Sequence, residues 1–226
     1  MKYISKLGVG ALVATALIVG GCKPDKQTND PQTPASDVKG QSALDQGDWS
    51  RAYDSFSAAI TANPNDVDAY YGRAAASLAR AQEHYRLAQA DATNQMIEEG
   101  RNEAAKADEF FKKATDDADA ILKIDPNYAE AWFVKGVACQ YQGKWTEGIE
   151  AFTECLTLDP NNAEAYHRRG EIYDHTGDYM NASVDFKKAT ELGFSEPSTD
   201  AAYTDLDDFS DLNYELDEAS EETDDE

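Results

Sequence analysis

Three histidines and three cysteines are the residues of this chain whose types could do chemistry. His167 and His175 lie eight residues apart with Glu171 midway, so on one helix the three share a face over two turns. Two imidazoles and a carboxylate are zinc-ligand types, and the spacing makes a weak metal site conceivable. The better reading is a set of polar side chains lining a groove. No His-Glu-x-x-His, paired-cysteine motif or phosphate-cradling glycine loop occurs, and no nucleophile stands beside a base. The chain is therefore read as non-enzymatic, with no cofactor and no metal. Cys139 and Cys155 invite a disulfide in an oxidising compartment, a question that the placement of their helices decides.

The elements that position these residues are written as a repeat. Between Asp125 and Leu192 one pattern occurs twice at a spacing of 34 residues. Asp125-Pro126-Asn127 recurs as Asp159-Pro160-Asn161, Ala131-Trp132 as Ala165-Tyr166, Gly136 as Gly170, Gly143-Lys144-Trp145 as Gly177-Asp178-Tyr179, and Phe152 as Phe186. The pattern resembles the tetratricopeptide repeat. With Ala163 as repeat position 1, the family's positions are filled by Tyr166, Gly170, Tyr173, Gly177, Tyr179, Ala182, Phe186 and Ala189. A weaker copy has Gly40, Gly47, Trp49, Ala52, Phe56, Ala59 and Pro64 in register, with Ser36 where an aromatic is expected.

The resemblance implies an all-α, right-handed superhelix of about four helix-turn-helix units. Each unit is a pair of antiparallel helices, A and B, that buries its apolar face only by stacking on neighbours. Asp-Pro-Asn is expected to close one unit, with its Asn capping the next helix. The period breaks once. Pro64 and Pro160 are 96 residues apart where two repeats need 68, so 28 residues are inserted. That is close to eight helical turns, so both helices of the second unit can lengthen and keep their core faces. The sequence reads as helices over 67–90 and 96–124, with the insertion at about 81–110 and its tip at Asp91–Gln95; Gly100-Arg101-Asn102 is the rival turn. In this register Cys139 and Cys155 are offset by roughly 10 Å along their helices, too far to bridge.

In this family the positions of helix A that face away from the core line the ligand groove. Here they are Tyr71, Ala75 and Leu78, then Phe133, Val137, Gln140 and Tyr141, then His167, Glu171 and His175. The apolar ones are expected to face water, which marks a binding surface. Chaperone-binding members clamp a peptide carboxylate with Lys and Asn; this chain has Glu130, Phe133, Val134 and Val137, then Glu164, His167, Arg168 and Glu171, at those places, so the clamp is absent.

Outside the repeats, residues 1–22 read as an export signal: Lys2 and Lys6 precede an apolar run, too short for a confident membrane span, that ends in Val19-Gly20-Gly21-Cys22. This resembles the bacterial lipobox, which implies a lipid on Cys22, an outer-membrane destination in a Gram-negative cell and a domain facing the periplasm. Residues 23–34 are a proline-rich tether, residues 35–196 the repeat domain, and residues 197–226 a capping helix and acidic tail. From Ser195 onward there are 14 acidic residues and no basic one, while Leu206, Phe209, Leu212 and Leu216 recur at near-helical spacing.

The formal charge of −24 excludes nucleic acid and favours basic proteins as partners. The leading reading is a lipid-anchored scaffold binding a protein or peptide in the cell envelope. The alternative is a carrier of a small hydrophobic ligand working with a solute-binding protein, which requires an enclosed pore between repeats.

Overall fold

Apolar residues at a helical period create each element, and Gly or Pro decides where it stops. The computed structural model describes residues 35–93 and 97–195, and every regular element among them is a helix. In chain order these are α1 (Ala35–Asp45), α2 (Trp49–Ala62), α3 (Val67–Thr93), α4 (Ile97–Ile124), α5 (Ala129–Tyr141), α6 (Trp145–Leu158), α7 (Ala163–His175) and α8 (Tyr179–Glu191). They pair as the hairpins α1/α2, α3/α4, α5/α6 and α7/α8. Each hairpin stacks on the next, and the first helices of neighbouring hairpins also touch. The signal and lipobox at 1–22, the tether at 23–34 and the segment 197–226 lie outside the described residues.

A glycine opposite a phenylalanine holds each regular pair together. A Cβ on Gly40 would stand 2.7 Å from the Phe56 ring, one on Gly136 2.6 Å from Phe152, and one on Gly170 2.8 Å from Phe186. Only a residue without a side chain lets helix B approach so closely. In the second unit Ala74, fully buried, takes the glycine's place. The turn from α5 to α6 passes through Gly143 at φ +66°, and that from α7 to α8 through Gly177 at φ +81°, a backbone region costly for other residues.

The link between units differs from expectation in one detail. Asp125 and Asp159 each accept a hydrogen bond from the backbone N–H of the Asn two residues on, at 3.0 and 3.1 Å, and Asn63 does the same for Asn65 at 3.2 Å. This side-chain-to-backbone turn uses up the Asp-Pro-Asn triplet. The cap falls one residue later: Asn162, not Asn161, accepts from Ala165 N–H at 2.9 Å, and Tyr128, at the equivalent place before α5, makes no side-chain cap bond.

The insertion lengthens both helices of the second unit equally. α3 has 27 residues against 13 in α5, and α4 has 28 against 14 in α6. Fourteen extra residues make each arm about 20 Å longer. The connection lies between Thr93 and Ile97, and Gly100 is inside α4, which removes the rival turn. A repeated ion pair shows the same register. Arg169 makes a two-pronged bond to Asp185, at 2.7 and 2.9 Å, across 16 residues, and Arg73 makes the equivalent bond to Asp117, at 3.0 and 2.6 Å, across 44. The difference is the 28 inserted residues. Both arginines also donate to the preceding unit, Arg73 to Ser57 at 3.2 Å and Arg169 to Thr153 at 2.9 Å. In the third unit Lys135 makes the corresponding tie alone, to Asp119 at 2.7 Å.

Cys139 is half-buried and Cys155 buried, and no disulfide joins them. Burial pushes the Cys139 thiol above its ordinary pKa, so it is a poor nucleophile in this setting.

Candidate partner-binding face

The first helices of the second, third and fourth units run side by side, so residues in equal register meet. Tyr71, Ala75 and Leu78 of α3 and Phe133 and Val137 of α5 line one small pit, together with Gln82, Val134 and Arg168. Ala75, Leu78, Phe133 and Val137 are nevertheless buried, none above 8% exposed. The row of apolar side chains expected to face water is closed over, because neighbouring A helices bury these residues against one another. Tyr71 is only half-covered, its ring 6.1 Å from that of Tyr128. The remaining space accommodates about one water molecule.

Tyr141 is half-buried at the end of α5 and packs against the second unit. The lengthened hairpin reaches it: its ring stacks on Phe111 at 5.1 Å and meets the edge of Tyr85 at 5.1 Å, and its hydroxyl accepts from Gln82 at 3.5 Å. Burial raises the Tyr85 phenol to about 12. The Phe111 contact is the regular one between units, repeated 34 residues on as Trp145 with His175, while Tyr85 and Gln82 reach Tyr141 from the lengthened part of α3.

Gln140, His167 and Glu171 belong to a buried polar chain between α5 and α7. Arg168 donates to Glu164 at 3.0 Å and to Gln140 at 3.3 Å, and Gln140 donates to Glu171 at 2.9 Å. His167 Nε2 lies 3.3 Å from Glu171, and its ring stacks on Phe194 at 4.2 Å. Burial raises the Glu171 carboxyl, but the bond from His167, the charge of Arg168 and the bond from Gln140 outweigh it and leave the group below the usual range. Glu164 goes the other way: burial raises it despite Arg168. The sequence reading missed this chain, although Glu164 and Arg168 four residues apart on one helix were a signal for it.

His175 points elsewhere. It is exposed, and its ring lies 4.2 Å from that of Trp145 on the preceding hairpin. Among the described residues no group of three possible ligands surrounds a metal position.

The surface beside the Tyr71–Tyr128 pair is acidic. Burial raises Glu130, and the charges of Asp159, Asp125 and Asp68 raise it further. Tyr128 is raised first by burial and then by the fields of Glu130 and Asp68. Asp68 and Glu130 stand in the first turns of α3 and α5, and Asp125 and Asp159 in the links before α5 and α7, so the Glu130 carboxyl has three acidic neighbours. Asp68 and Glu130, in first turns, suit the helix dipole, whereas Asp159 caps the C-terminal end of α6, where the dipole adds to the repulsion.

These features define a class: an all-α solenoid of stacked helical hairpins, with a side-by-side face of A helices and one lengthened hairpin. Residues 129–162, 151–182 and 38–84 each match a family model described as "Tetratricopeptide repeat". The chain is a tetratricopeptide-repeat protein. A search of the curated proteins found no match. Among solved structures, MamA residues 41-end from Desulfovibrio magneticus RS-1 aligns at 22% identity and a TM-score of 0.53, covering 70% of this chain and 73% of that one. A MamA RS-1 double mutant aligns at 23% and 0.54, covering 78% and 80%. These two share the fold.

Proposed function

We propose that the protein is a lipid-anchored, non-enzymatic scaffold of the cell envelope that binds a basic segment of a protein partner along its A-helix face. The supporting observation is the Tyr71–Tyr128 pair with Glu130, Asp68 and Asp125 acting on Tyr128, and Asp159 acting in turn on Glu130. Aromatic side chains beside clustered carboxylates suit a Lys or Arg side chain, which lays its methylenes on a ring and its charge against the acids. The repeat supplies the scaffold, and the field of the chain supplies steering. Anchoring rests on the lipobox-like Val19-Gly20-Gly21-Cys22, with acyl chains on Cys22 each adding about 0.8 kcal/mol per buried CH₂. A carrier of hydrophobic ligands fits less well, since the pit among the described residues holds about one water.

Photocrosslinking in the native envelope tests the assignment. A photoreactive residue at Tyr71 should give one protein adduct that is competed by a basic peptide, and the same group at exposed Lys112 on α4 should not. Adducts from Lys112 alone, or none from Tyr71, overturn it.

A further inference from the structure

The outer side of α8 breaks the pattern set by the other three hairpins. At the two B-helix positions that point away from the solenoid, the first three units carry Ser50 and Asp54, Lys112 and Asp116, and Thr146 and Glu150, all exposed and polar. The fourth carries Met180, 83% exposed, and Val184, 65% exposed. Tyr179 beside them is 70% exposed, because its counterpart Trp145 is covered by His175 of the next hairpin and Tyr179 has no such cover among the described residues. The positions on which a following hairpin would stack are altered in the opposite sense. Tyr53 and Ile60, Thr115 and Leu122, and Ile149 and Leu156 are packed between units, whereas Ser183 and Thr190 of α8 are exposed. Apart from Tyr179, these stacking positions of α8 are thus polar, and Met180 and Val184 put further apolar surface round the outside of the helix. A further repeat would not use such a surface. A segment lying lengthwise against it would.

We propose that residues 206–216 of this chain dock along the outer face of α8, over Met180 and Val184. Leu206, Phe209, Leu212 and Leu216 supply apolar side chains at near-helical spacing, and Asp207, Asp208, Asp211 and Glu215 stand among them. Lys187 and Lys188 stand on α8 beside the patch, Lys187 exposed. Elsewhere the solenoid is predominantly acidic and repels this segment, so the pairing is local. The tether is long enough: eleven residues from Ser195 to Leu206 span up to about 36 Å, against about 20 Å for the 13 residues of α8. Being part of the same chain, the segment meets the patch at an effective concentration near millimolar, which a second copy does not match at ordinary protein concentrations.

Methionine methyl NMR on the full chain tests this, because Met180 reports the patch itself and Met96 serves as reference. Docking predicts that the Met180 methyl resonance moves in Phe209→Ser and in Leu212→Ser, and moves the same way in high salt, with Met96 and helicity unchanged. It also predicts that Val184→Glu speeds chymotryptic cleavage after Phe209. A Met180 resonance identical in wild type and both tail variants overturns the proposal. So does a Met180 shift that follows protein concentration and ignores the tail variants, which would assign the patch to a second copy.

Discussion

At the scale of single residues, two kinds of position control the fold, and they respond differently. Gly136 faces Phe152, which is completely buried, and an added Cβ would stand 2.6 Å from its ring. Gly136→Ala should therefore destabilise by about 1–3 kcal/mol through overpacking, offset by up to about 1 kcal/mol of helix propensity; the urea midpoint reads the net loss. Glu130 is the opposite case. Its carboxyl is raised by burial and by neighbouring acids, so the fold disfavours the charged form. Stability from this group is fully present below the pKa of the unfolded chain, near 4.3, and declines as pH rises through the higher folded value. Glu130→Gln should raise the urea midpoint at neutral pH, and the difference should vanish below the unfolded pKa. An equal difference at both pH values would mean that charge is not the cause. The face carrying Tyr71, Ala75, Leu78, Phe133 and Val137 was legible from repeat register alone. Their burial was not, because it depends on how neighbouring A helices close against one another, and the contact of Tyr141 with Tyr85 was hidden because Tyr85 reaches it from the inserted turns.

At the scale of elements, the interlocked ion pairs hold helix A, helix B and the preceding unit in register. Arg73 joins Asp117 to Ser57, and Arg169 joins Asp185 to Thr153. The carboxylates are almost buried, with 6% and 4% of their side chains exposed. Asp117→Ala leaves a guanidinium without its partner and should cost about 3 kcal/mol. Replacing both members, Arg73→Met with Asp117→Leu, should cost markedly less, since no charge is left unpaired. Equal losses for the single and double replacements would show that the pair contributes through packing alone. The matched lengthening of α3 and α4 could be read from the sequence because helical period and apolar stripe persist through the insertion. Phe110, buried beneath Arg80 and Lys113, escaped notice because it lies one residue off that stripe.

At the scale of the whole molecule, a charge of −24 attracts cations and repels anions over a distance set by the salt concentration, which is the ground for proposing a basic partner. Family-level binding positions pointed to the A-helix face, yet the local chemistry there is acidic and aromatic rather than an open apolar groove. The polar chain from Glu164 to His167 was hidden from sequence because it joins residues 28 and 31 apart on different units. Fluorescence anisotropy with a labelled peptide carrying lysines and one aromatic residue tests the central claim most directly. Wild type should bind it, Asp68→Asn with Glu130→Gln should weaken binding at least tenfold, and added salt should weaken wild type more than the variant. Binding that is indifferent to both carboxylates, or as tight for a peptide with glutamates in place of lysines, would contradict a basic partner on this face.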